Sequence, residues 1–143
     1  MKKYKIGYTT GVFDLFHIGH LNILRNAKAQ CEYLIVGVSI DEVVESYKHK
    51  KPIIPFEERI EIVEAIKYVD KVVPQVNMDK RNAWEILHFD ALFHGDDWKG
   101  SEMYDKYMKE FEGTGVELVF LPHTKGTSST TLTAVLNKVL EKW

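Results

Sequence analysis

Apolar and polar positions along this chain follow two alternating rhythms. Short, nearly unbroken apolar runs mark strands: Tyr4 to Tyr8, Tyr33 to Ser39, Val72–Val73 closed by Pro74, Ala91 to His94, and Val116 to Leu121. A run without polar alternation suits a parallel strand covered on both faces. Between the runs, apolar residues return every three or four positions, as on helices with one buried face. The first such helix covers Leu21 to Ala29. The next begins at Pro55, a residue suited to a first turn, and buries Phe56, Ile60, Val63 and Ile66. Asn77 is the expected cap of a helix through Leu87. A helix from Ser101 to Phe111 is expected to bury Tyr104, Tyr107, Met108 and Phe111, before Gly113 and Gly115 break it. The last starts near Ser129 and sets Leu132, Val135, Leu136, Val139, Leu140 and Trp143 on one stripe.

Strand, helix, strand, repeated, demands right-handed crossovers and a parallel sheet. The expected fold is therefore α/β: a Rossmann-like, doubly wound parallel sheet with helices on both faces, in a single domain over residues 1–143. Ligands of such sheets bind beyond the carboxyl ends of the strands. Four loops meet there: Thr9–Ile18, Asp41–Ile54, Gly95–Gly100 and Pro122–Ser128. These loops are also the polar, glycine-rich and basic stretches of the chain.

Composition narrows the class. Hydrophobic residues make up 45% and charged residues 28% of 143 positions, as in a soluble globular protein. A formal net charge of −2 gives no sign of a nucleic-acid binder. The single cysteine, Cys31, excludes an internal disulfide and fits a reducing compartment. The first residues enter a strand almost at once, leaving no apolar region for a signal peptide, and no run approaches the roughly 20 residues of a membrane span. The expectation is a cytoplasmic protein.

The candidate chemistry starts with Thr9 to His20, a strand end, a turn holding Gly11, and a helix start. A helix N-terminus offers unpaired backbone N–H groups to an anion. His17 and His20, three residues apart, share one side of the first turn, and each ring can donate to a phosphate oxygen. Gly19 would let a ligand approach the backbone closely. Thr124 to Thr131 crowds hydroxyls with Lys125 and Gly126 before a second helix, a pattern for another phosphate cradle as well as for capping. Tyr47 to Pro52 is basic and lies beside the ligand edge. Gly95-Asp-Asp-Trp-Lys-Gly100 is a polar turn that carries a tryptophan.

The string Gly11-Val-Phe-Asp-Leu-Phe-His-Ile-Gly-His20 resembles the signature of the His-x-Gly-His nucleotidyltransferases, in the form carried by the cytidylyltransferase branch. Gly95-Asp-Asp-Trp98 resembles the glycerol-3-phosphate cytidylyltransferases, and Thr124 to Thr131 resembles the branch's Arg-Thr-x-Gly-Ile-Ser-Thr-Ser/Thr motif. His123 stands where that motif has arginine, and the stretch from Gly126 to Ser129 is one residue longer. The resemblance implies transfer of CMP from CTP to a phosphorylated alcohol, foremost sn-glycerol 3-phosphate, giving CDP-glycerol for teichoic-acid-like or capsular polymers. It implies catalytic roles for His17, His20, Lys48 and Lys50. It implies nucleotide contacts at Thr9, Thr10, Gly11, Phe13, Asp14, Gly95, Asp97, His123, Thr124, Gly126, Ser129 and Thr130. Lys50, Asp70 and Trp98 fall on the acceptor side, and Arg59 matches a mainly structural position. The implied cofactor is Mg2+, or another divalent cation, bridging substrate phosphates, with Asp14 and Asp97 as supports and no residue assigned as a metal ligand. A homodimer is the implied assembly. Alternatives are a cytidylyl- or adenylyltransferase for choline phosphate, ethanolamine phosphate, a sugar phosphate or phosphopantetheine, and a non-catalytic nucleotide-binding subunit.

Overall fold

The computed structural model describes residues 2–95, 100–122, 124 and 128–141, with the backbone alone at Ser129. Strand β1 (Tyr4–Gly11) lies at the centre of a five-stranded sheet with β2 (Cys31–Ser39), β3 (Lys71–Gln75), β4 (Ala91–Gly95) and β5 (Glu117–Leu121). The order is β3-β2-β1-β4-β5 and every pairing is parallel. The helices are α1 (Ile18–Lys28), α2 (Asp41–Lys48), α3 (Phe56–Glu64), α4 (Lys80–Leu87), α5 (Glu102–Glu110) and α6 (Ser129–Glu141).

The apolar runs form strands because each face of the sheet carries its own core. Leu34, Val36 and Val38 of β2 join Leu24 and Ala27 of α1 and Val63 of α3 on one face. Ile35 joins Leu92, Tyr107 and Phe111 on the other, where α4 adds Ala83, Trp84 and Leu87. Phe56, Ile60 and Ile66 pack where their spacing placed them.

Five local expectations differ. The first helix begins three residues earlier than its apolar spacing suggested, with His17 as its cap. The loop expected over 41–54 contains α2, whose buried apolar residues are Val43 and Val44 and whose first turn carries Asp41 and Glu42 against the helix dipole. Asp79 rather than Asn77 caps α4, by accepting from the Asn82 N–H at 3.0 Å, while Asn77 accepts from Asp79 N–H one step earlier. Met108 is exposed, and Met103 packs in the core instead. On α6, Val135, Leu136, Val139 and Leu140 are exposed and Leu132 is half-buried. Trp143 lies outside the described residues.

Candidate active site

The strand order reverses between β1 and β4, and such a switch point opens a crevice at the carboxyl ends of the two strands. A cleft of about 360 Å³ occupies that place. Thr9, Thr10 and Gly11 of β1 and His94 and Gly95 of β4 form its floor, and His17 and His20 enter from the start of α1. Lys48, Lys50 and Lys51 line it from α2 and the following loop, and Thr130 and Thr133 from α6.

His17 and His20 are fixed by the backbone they cap. The His17 Nδ1 accepts from the Gly19 N–H at 3.0 Å, and the His20 Nδ1 accepts from the His17 N–H at 3.2 Å. A neutral imidazole that accepts at one nitrogen carries its proton on the other. Both rings therefore present Nε2–H as a donor. The ring centroids are 4.0 Å apart. Burial lowers both rings below their ordinary value, His20 to about 4, with the charges of His17 and Lys48 adding to the effect and that of Asp14 opposing it. Near neutral pH both are uncharged.

Among the N–H groups of the helix start, that of Gly19 is taken by the His17 ring. The same bond explains the glycine between the two histidines. Gly19 makes room for that ring: a Cβ there would lie 2.7 Å from His17 Cε1.

The turn before the helix is tightly wound. Phe13 and Leu15 have φ of 55° and 51°, a left-handed conformation costly for residues with bulky side chains. It is held by burial of Phe13 and by Asp14. Asp14 lines the cleft, but its Oδ2 and Oδ1 accept from the Ile53 and Ile54 N–H groups, both at 2.8 Å. Asp14 thereby ties the histidine turn to the lysine loop. Arg59, buried in α3, completes the tie. It donates to the carbonyls of Ile54, Val12 and Ser39 and pairs with Asp41 at 2.6 Å.

Lys80 was not singled out in the sequence. It is 1% exposed, and its Nζ donates to Thr10 Oγ1 at 2.6 Å. No carboxylate pairs with it among the described residues, and burial lowers it to about 7. A sequence signal existed: α4 opens with Lys80-Arg81 and has no acidic residue in its first turn, against the usual preference of the helix dipole. His94 lines the cleft itself, buried, its ring parallel to that of Tyr107 with centroids 5.7 Å apart. Burial, with the nearby charge of Lys80, lowers it to about 4.

The other expected residues divide. Thr9 spends its hydroxyl hydrogen on the Phe93 carbonyl at 3.1 Å. Thr124 accepts from Asn22 of α1 at 3.1 Å and braces the helix that carries the histidines. Ser128 caps α6 through the Thr131 N–H at 3.1 Å. Asp70 is misplaced by the motif reading. It sits at the amino edge of the sheet, where its Oδ2 accepts from the Leu34 N–H at 2.7 Å and pairs with Lys28 at 2.6 Å. It precedes β3, and the cleft lies past the opposite ends of the strands. Asp97, Trp98, His123 and Gly126, and the side chain of Ser129, lie outside the described residues.

A model of cytidylyltransferase-like domains matches residues 8–134. The glycerol-3-phosphate cytidylyltransferase of Bacillus subtilis (strain 168) is 40% identical over 123 residues, covering 85% of this chain and 89% of its own. That of Staphylococcus aureus (strain NCTC 8325 / PS 47) is 37% identical over 123 residues, covering 85% and 87%. Among solved structures, the lipopolysaccharide core biosynthesis protein from Thermoplasma volcanium GSS1 superposes with a TM-score of 0.72 at 23% identity, over 87% of this chain and 99% of that one. It shares the fold.

Proposed function

Because the chain belongs to the cytidylyltransferase-like family, we propose that it transfers CMP from CTP to sn-glycerol 3-phosphate, releasing pyrophosphate and CDP-glycerol. An oxygen of the acceptor's phosphate attacks the α-phosphorus of CTP. The bond from that phosphorus to the β-phosphate's bridging oxygen breaks, and pyrophosphate leaves. The attacking oxygen is already an anion at neutral pH, so no side chain has to remove a proton. The protein's work is to align the two substrates and to meet charge that builds on the α-phosphate.

One observation carries this reading: two adjoining neutral imidazoles, both with Nδ1 occupied, are left with Nε2–H as their donor at the switch-point cleft. We assign these donors to the α-phosphate. Uncharged donors fixed by the backbone need no reorganisation as charge develops. Lys48 and Lys50, on α2 and the loop after it, are assigned to the departing pyrophosphate and the incoming acceptor. Lys80, lowered to about 7 by burial and hydrogen-bonded to Thr10 of the cleft floor, would hold its proton more firmly once an anion binds, and we assign it to the acceptor phosphate.

Mg2+ would come to this chain as a companion of the triphosphate. Asp14 is the carboxylate among the described lining residues, and both its oxygens already accept backbone N–H groups. No cluster of three His, Cys, Asp or Glu residues suited to a metal occurs among the described residues. The ion would arrive on CTP, keeping its waters and neutralising phosphate charge. No helix among the described residues is long and apolar enough to cross a membrane. A homodimer, a cytoplasmic setting and supply of CDP-glycerol to a cell-surface polymer complete the proposal, and rest on the resemblance.

The test is pyrophosphate release by the purified chain with each nucleoside triphosphate against a panel of acceptor phosphates. Release with CTP and sn-glycerol 3-phosphate, well above every other pair, is expected. Preference for another acceptor would replace the substrate, and no release with any pair would leave a binding module.

A further inference from the structure

The His20 imidazole has an aromatic wall that the transfer chemistry does not itself require. The Phe16 ring lies 5.2 Å from it, centroid to centroid, tilted by 36°, and the Phe13 ring meets it at 5.4 Å and 63°. Phe13 and Phe16 are 6.3 Å apart, so the two rings and His17 enclose His20 on several sides. Phe16 directly precedes the cap residue of α1. At that position an apolar side chain ordinarily staples the helix by reaching the residue after the first turn. Here the ring partners of Phe16 are Phe13 and His20.

We propose that Phe16 is a positioning residue for His20: its ring, with that of Phe13, holds the imidazole in the orientation that leaves Nε2–H to the cleft and keeps water off the rest of the ring. Two consequences follow from the packing. First, the hydrogen bond from the His17 N–H to His20 Nδ1 survives only while the ring cannot swing, so Phe16 maintains the tautomer. Second, burial is the largest reason that His20 resists protonation. The titratable groups that face it are His17 at the start of its own helix, Lys48 on α2 and Asp14 in the turn, and only Asp14 favours the charged ring. Opening the wall would admit water, remove the main restraint and let Asp14 stabilise an imidazolium. A charged ring would add a proton on Nδ1 and break its bond to the backbone. Phe13 cannot be tested as cleanly, since it is buried in the core with a left-handed backbone; Phe16 is only half-buried.

The inference rests on the reading of His20 as a donor to the α-phosphate, and its test separates the two. In the free protein, labelled with nitrogen-15, the His20 ring resonances are followed against pH. In the wild type their midpoint should lie near 4, and in Phe16→Leu and the bulkier but ringless Phe16→Met it should climb toward the ordinary 6.5. Phe16→Tyr should restore the wild-type midpoint. The acid limb of the kcat profile with CTP should move up in the same two variants, with kcat at neutral pH reduced about tenfold and KM for CTP changed less than twofold. An unmoved His20 midpoint in Phe16→Leu and Phe16→Met would overturn the role of Phe16. Full turnover in His20→Ala would instead overturn the catalytic reading, whatever the titration shows.

Discussion

The two edges of this sheet handle charge in opposite ways. At the amino edge the polar groups are paired. Asp70 holds the Leu34 N–H and Lys28, Asp90 accepts from the Ile6 N–H at 3.0 Å, and Lys2 donates to the Lys28 carbonyl at 3.0 Å. Tyr4 donates to Glu117, which also faces Lys3 at 3.7 Å. At the carboxyl edge, no ion pair joins Lys48, Lys50, Lys51 or Lys80 to a carboxylate among the described residues. The carboxylates there serve the scaffold instead, Asp14 on backbone N–H groups and Asp41 on Arg59. One edge is finished by folding, and the other keeps a surplus of positive charge for anionic substrates. The contrast teaches where to look for function: at buried or clustered cations whose counter-charge the fold does not supply.

Substitutions at the two edges should therefore separate activity from stability. The largest effect belongs to His20→Ala or His17→Ala, which should lower kcat by roughly 10²–10³-fold, while loss of the cap they give α1 should cost only about 1 kcal/mol of stability. Gly19→Ala comes next. Its new Cβ would push the His17 ring from its seat, and a displacement on the order of 1 Å should cost about 10²-fold in kcat. Stopped-time pyrophosphate assays read both.

Lys80→Met should raise KM for the acceptor roughly 10- to 100-fold by removing a charge-assisted contact, and should alter stability in a pH-dependent way. In the wild type the folded-state value of about 7 lies below the ordinary 10.5, so between these limits the unfolded chain binds the extra proton. Stability contributed by this group is then complete above 10.5 and is lost as pH falls toward 7. Urea unfolding of the ligand-free protein should show that slope, and Lys80→Met should lack it. The smallest effect is expected from Asp70→Asn on the opposite edge: a stability loss of about 1 kcal/mol and unchanged kinetic constants. A large fall in kcat for Asp70→Asn would break the comparison between the edges.

How far the chain was readable follows the same division. The strands were legible because β2 is buried on both faces from Leu34 to Ser39, so no polar alternation interrupts it. The histidine turn was legible because its spacing and its loop position agreed. Helix α2 was hidden because its apolar signal is little more than Val43 and Val44. The capping by His17 and the space provided by Gly19 depend on where one ring settles, which spacing alone does not determine. Asp70 was assigned by motif to the substrate side, although a residue just before a parallel strand must sit at the edge away from the ligand. Lys80 left a trace as a cation at a helix start, but its burial against Thr10 needed the packing of α4 on β1.

The most direct test of the central claim is a crystal structure of the protein with bound CTP. The account predicts the α-phosphate within hydrogen-bond distance of Nε2 of both His17 and His20, above the carboxyl ends of β1 and β4. A triphosphate bound elsewhere, or rings that meet it through Nδ1, would contradict it.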